Sequence, residues 1–229
     1  MGRYHEQNKK NAVFGAVYLF VVVLLIVEFV PEIYVYFREG FAFRSFTQWK
    51  HADTAFITLW MIIVLRSAAL RLYKNWMLKK GLFRVSVVIN RRSTIMLTLM
   101  ICVMLPAALF IPHTFSLAAH YKTRAGLWGI TWGLLNTISQ YIYYIVEGIK
   151  IVWMVDVFQT MGELWTSKKA VPWGGIGLAL TWGVLHYFTK GTTQLIAHSA
   201  LSLVMGMLFV LGKRSFWPPF VLWMSALVL

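Results

Sequence analysis

Residues 126–161 read GLWGITWGLLNTISQYIYYIVEGIKIVWMVDVFQTM. No proline interrupts these 36 residues, and Asn136, Gln140, Glu147, Lys150 and Asp156 stand among apolar and aromatic neighbours. As one helix the stretch would be about 54 Å long at 1.5 Å per residue. That exceeds what a ~30 Å hydrocarbon core needs. It is therefore either one long, tilted, protruding helix or a helix broken near Gly148. The choice decides the topology of everything that follows.

Working outward, the chain alternates apolar runs with short polar joints. Of 229 residues, 59% are hydrophobic, 16% aromatic and only 13% charged. Soluble domains carry about 25% charged residues. Apolar runs fall at about 12–30, 55–72, 94–118, 171–188 and 193–211, with the long 126–161 stretch between them and a short last segment, SFWPPFVLWMSALVL, from Ser215. The expected fold is all-α: a polytopic integral membrane protein of about seven transmembrane helices. It forms a single membrane domain over 1–229, with N-terminal spans in 1–125 and the rest in 126–229.

The N-terminal apolar run is too long for a signal peptide and has no small-x-small cleavage site, so it reads as an uncleaved first span. Glu28 and Glu32 lie one helical turn apart at its end. Pro106 and Pro112 are expected to kink the third span. Residues 74–92, KNWMLKKGLFRVSVVINRR, read as an amphipathic segment on the membrane surface. Cys102 is the single cysteine and reads as a small interior residue, so no disulfide framework exists.

The net charge of +14 does not imply nucleic acid, because the cations sit at span ends. With one long helix over 126–161 and the N-terminus inside, fourteen Lys and Arg fall on the inner side and six, including Arg124, on the outer. Splitting the stretch in two weakens the bias to eleven against nine. Positive-inside bias therefore favours one long helix and a cytoplasmic N-terminus. The expected partners are the lipid bilayer and a membrane peptide or protein, with no nucleic acid.

Few ionisable groups lie deep in the spans: Arg66, Glu147, Lys150, Asp156, His186 and His198. Such groups are costly in lipid and mark function or pairing. Glu147 lies 15 residues before the joint at Gly162, and His186 lies 16 or 17 after Lys169. In an antiparallel hairpin the two are level. His186 and His198 flank the turn at Gly191 and are level to within about a turn. Asn136 and Gln140 precede Glu147 by near-whole turns and share its face.

A Glu beside imidazoles suits water activation, with a His to orient the water or stabilise an oxyanion. The same three groups also suit zinc. No HExxH and no GxSxG selects a known chemistry, and the expected site holds no metal and no cofactor. The structural alternatives are a Glu147–Lys150 pair along the helix and an Arg66–Asp156 ion pair. TWGLLN at 131–136 echoes TWGVLH at 181–186, where Gly133 and Gly183 would let helices approach closely.

LTWGVLHYFTKG at 180–191 and ALSLVMGMLFVLGKRSFWPPFVLW at 200–223 resemble the CPBP family of intramembrane proteases (CAAX proteases and bacteriocin-processing enzymes, also called Abi). That family carries EExxxR, then FxxxH, then HxxxN. The resemblance covers about 140–229 and makes 126–229 a CPBP-like core. It places Glu147 on the first Glu and His186 on the His of FxxxH, with Trp182 for the Phe. SFWPP at 215–219 matches the stretch before the last motif. It implies a glutamate-type intramembrane endopeptidase of a bacterial plasma membrane. Glu147 and His186 would activate water on a membrane-associated peptide, and His198, Asn136 and Gln140 would be auxiliary polar groups. The chain departs from the motifs at Gly148, Val152, Trp223 and Leu227, which replace the second Glu, the Arg, the last His and the Asn. The alternative is accordingly a catalytically inactive CPBP-like scaffold or regulator, as in bacteriocin immunity or cell-envelope complexes.

Overall fold

In a computed structural model, residues 7, 8, 10–15, 17, 18, 30, 31, 33–38, 40, 51–110, 117–184, 187 and 191–228 are described. The architecture is all-helical, 85% helix, with no strands among the described residues. The helices are α1 (Ala52–Lys79), α2 (Arg91–Phe110), α3 (Leu117–Trp128), α4 (Ile130–Thr166), α5 (Trp173–Leu178, continued by a π-helical turn Ala179–Gly183), α6 (Thr192–Leu211) and α7 (Trp217–Val228). Helices α1 and α6 are long and apolar enough to cross a membrane. Residues 111–116, including Pro112, and most of the expected first span, including Glu28 and Glu32, lie outside the described residues. Pro106 sits inside α2.

From Ile130 on, the opening stretch is one helix; its first three residues, 126–128, instead end α3, and Gly129 separates the two. α4 runs unbroken for 37 residues, about 55 Å at the usual rise, and passes through Gly148. It is the central element and packs against α1, α3, α5, α6 and α7. Its start is fixed by Gly129, whose φ of 81° suits a residue without a Cβ. The chain reverses there, and α3 folds back on α4. Gly133 makes this possible, because a Cβ at that position would come 2.6 Å from the Ala125 backbone nitrogen.

α1 and α4 run parallel. Asn136 Nδ2 donates to the Ala52 carbonyl at 3.2 Å, Trp60 Nε1 donates to Ser139 Oγ at 3.0 Å, and Arg66 bonds Glu147. The contacts thus advance together along both helices.

The far end of α4 is tied by the loops that follow α1 and α6. Ser86 and Ser215 form a parallel β-bridge. Ser86 N donates to the Arg214 carbonyl at 2.9 Å, and Phe216 N donates to the Ser86 carbonyl at 2.8 Å. Trp217 Nε1 donates to the Val87 carbonyl at 2.7 Å. The expected surface segment 74–92 is therefore two things. Its first part extends α1 to Lys79, and its second is an extended strap held by the α6–α7 turn. That turn places Lys213 and Arg214 at φ of 55° and 61°, a left-handed conformation that costs a non-glycine residue about 1–2 kcal/mol. The return is the placement of the Arg214 side chain on α4.

Behind α4, α5 and α6 cross almost backbone to backbone. A Cβ at Gly175 would lie 2.6 Å from the Ser202 carbonyl oxygen, and one at Gly183 would lie 2.6 Å from Ser199 Oγ. A Cβ at Gly206 would fall onto the amide nitrogen of Gly175. No flexible side chain is there to yield. We expect Gly206→Ala to force the helices apart and cost about 1–3 kcal/mol, the usual range for overpacking. Equilibrium unfolding in mixed detergent micelles would check this, and an unchanged midpoint would contradict the close crossing.

The core clusters around Ile151, Val152, Val155, Phe158, Leu178, Met205 and Phe209, all buried. Cys102, expected inside, is exposed.

Candidate functional site

The buried face of α4 carries polar groups where a soluble helix would carry leucine. Asn136, Gln140, Glu147, Lys150, Asp156 and Gln159 are all buried. They sort into three groups along the helix.

The middle group centres on Glu147. Lys150, three residues on, places Nζ 2.7 Å from Glu147 Oε1, and Arg66 of α1 places Nη1 on Oε2. The three side chains are 6%, 4% and 3% exposed. The Arg66 guanidinium also lies 4.9 Å from the Tyr143 ring centre, a cation–π distance. The expected Arg66–Asp156 pair is corrected here, because Arg66 is 81 residues from its partner Glu147 and that carboxylate is the one α1 reaches. The expected Glu147–Lys150 pair is present.

Next to this triad the bundle is closed by aromatics. A Cβ at Gly148 would lie 2.6 Å from Trp223 Cδ1 and 2.9 Å from Phe220 Cε2. Trp223 Nε1 donates to the Tyr144 carbonyl at 3.1 Å. The ring of Trp182, carried on the π-helical turn of α5, lies 5.4 Å from that of Trp223 and 4.6 Å from that of His198. His198 Nδ1 donates to its own helix at the Gln194 carbonyl, 2.7 Å away. Thus Glu147 turns to α1, while His198 reaches α4 through two tryptophans. His186 lies outside the described residues.

The upper group joins α3 to α4. Arg124 Nη1 donates to the Asn136 carbonyl at 2.7 Å, and Nη2 donates to Gln140 Oε1. Gln140 Nε2 in turn donates to the Tyr144 hydroxyl. Asn136 and Gln140 were expected beside Glu147, and the structure brings them to Arg124 instead. Arg124, read from sequence as a joint cation, is buried in the helical hairpin.

The lower group holds Asp156 and Glu163. Arg214 Nη1 donates to Asp156 Oδ1 at 2.6 Å and to Thr160 Oγ1 at 3.0 Å, and its Nη2 donates to Glu163 Oε2 at 2.7 Å. The Arg84 amide donates to Asp156 Oδ2 at 3.1 Å. Gln159 Nε2 donates to the Val171 carbonyl, and its Oε1 accepts from the Gly174 amide, at 2.9 Å and 3.0 Å. That pair of bonds pins the start of α5 to α4.

No group of three or more His, Cys, Asp or Glu among the described residues is placed to hold a metal ion. Arg124, Arg214 and Tyr144 join these networks without standing out in the sequence as site residues. Arg124 had a signal, since it sits 12 residues before Asn136 across a Gly-containing joint. No protein-family model matches the chain, and no curated protein and no solved structure matches it either.

Proposed function

We propose that the chain is a non-catalytic, CPBP-like helical scaffold that binds a membrane partner, rather than an intramembrane endopeptidase. One observation carries this reading: both carboxylate oxygens of Glu147 are held by cations, Arg66 and Lys150, and all three side chains are buried. A general base needs an oxygen within reach of a water proton. Glu147 serves as the counter-ion of two buried cations. Trp223, edge-to-face with Trp182, occupies with Phe220 the side of α4 next to Gly148, where the resemblance would require a third-motif His and an open cleft.

The same reading takes the chain as an integral protein of about seven spans in a bacterial plasma membrane, with the N-terminus cytoplasmic. The distribution of polarity supports it. Leu72, Ile130 and Leu180 are 71%, 73% and 68% exposed, while charged Arg66, Glu147 and Lys150 are buried. Apolar outside and charged inside suits a helix bundle in lipid. The joints 80–90, 167–172 and 212–216 meet at the lower end of α4, as a shared membrane side requires.

The test is incubation of the purified protein with a library of membrane-spanning peptides, beside Glu147→Gln. The scaffold reading expects no cleavage above background from either. Cleavage by the wild type that Glu147→Gln abolishes would overturn it and restore the endopeptidase reading.

A further inference from the structure

Arg124 is 4% exposed, yet its two hydrogen bonds go to neutral acceptors, the Asn136 carbonyl and Gln140 Oε1. No carboxylate pairs with it among the described residues. A guanidinium has five N–H donors, so three remain. A buried charge without a counter-ion is expensive. A second, independent observation lies beside it. The Tyr141 hydroxyl is a buried oxygen with no hydrogen-bond partner among the described residues, although its ring packs 5.9 Å from Tyr144 and 6.2 Å from His120. The Tyr144 hydroxyl accepts from Gln140 Nε2, which leaves its own proton to donate elsewhere.

The geometry points to the α3–α4 hairpin as a binding site for one phosphate oxyanion, held by Arg124 with the hydroxyls of Tyr141 and Tyr144. Arg124 and the two tyrosine hydroxyls leave donors and a positive charge over, and the acceptor left over beside them, Asn136 Oδ1, carries no charge to compensate the guanidinium. A water would satisfy Tyr141 and leave the guanidinium uncompensated. An oxyanion satisfies both, and arginine forks suit phosphate. Tyr141 is half-buried, so the site has an open rim. The phosphate is either a lipid headgroup or a free anion, since the chemistry is shared. The site stands apart from Glu147 and does not depend on whether that residue is catalytic.

The test follows the thermal unfolding of the full chain in neutral detergent with inorganic phosphate, and in nanodiscs of phosphatidylglycerol against phosphatidylcholine. The variants are Tyr141→Phe and Arg124→Gln. Because the Tyr141 hydroxyl has no hydrogen-bond partner among the described residues, Tyr141→Phe should leave ligand-free stability unchanged. It should weaken anion binding by about tenfold or more, the loss of one hydrogen bond to a charged group. Arg124→Gln should abolish binding. A saturable upward shift with inorganic phosphate identifies a free anion, and one confined to phosphatidylglycerol identifies a headgroup. Either supports the site. No saturable shift from any source, or equal affinity in wild type and Tyr141→Phe, overturns it.

Discussion

Glu147→Ala should unfold the centre of the bundle. The substitution leaves Arg66 and Lys150, 3% and 4% exposed in their side chains, facing each other with no anion between them. Removing one partner of a buried ion pair costs about 3–5 kcal/mol. Here one carboxylate serves two cations. The low end of the range is expected, because a chain unfolded within a membrane also finds partners for its polar groups. Equilibrium unfolding in mixed detergent micelles reads the loss. The control is the double variant Glu147→Ala with Arg66→Met, which removes the carboxylate and one of its two cations together. It should recover a large part of the loss, with a coupling of about 1–3 kcal/mol. If Glu147→Ala is as stable as the wild type, Glu147 is not the counter-ion of this core, and the main support for the scaffold reading goes with it.

What could be read in the sequence was local along the chain. The length of α4 followed from 36 residues without proline and from the charge bias, and the helix found covers Ile130–Thr166. Gly133 and Gly183 were legible as close-approach sites because the repeated TWG pattern puts a small residue on one face. Lys150 was legible as a partner of Glu147 because three residues is one turn. The errors lie in long-range pairings. The alternating spans make α1 parallel to α4, but nothing in the spacing of Arg66 sets the register between them, and only that register puts Arg66 opposite Glu147 rather than Asp156. Arg214 is 58 residues from Asp156 and reaches it through a left-handed turn that has no glycine to announce it. Spacing from the joints puts Glu147 and His198 in one layer without fixing which way each side chain turns. Residues 147 and 148 point about 100° apart on a helix, and that difference sends Glu147 to α1 and gives the α7 side to Trp223.

Arg214→Ala should rank with Glu147→Ala in effect. Asp156, its side chain 1% exposed, keeps the Arg84 amide but loses its guanidinium, and Glu163 and Thr160 lose the same fork. A carboxylate stripped of its buried cation costs about 3–5 kcal/mol. The Arg84 side chain, 3.9 Å from Glu163 Oε2, offers a partial substitute and favours the lower value. Arg214→Lys should recover less than half of the loss. A point charge on a flexible stem cannot bridge Asp156 and Glu163 at once as a planar fork does. The two charge clusters also make a joint prediction. Glu147 and Asp156 are nine residues apart, about 13 Å along α4, and their ion pairs run to different cations, Arg66 and Lys150 against Arg214. Variants at such separations add to within about 0.5 kcal/mol. Glu147→Gln combined with Arg214→Lys should therefore lose the sum of the two single effects. A shortfall beyond that margin would mean that the lower network and the central triad are coupled through α4, and that the strap holding the end of the helix also sets the geometry at Glu147.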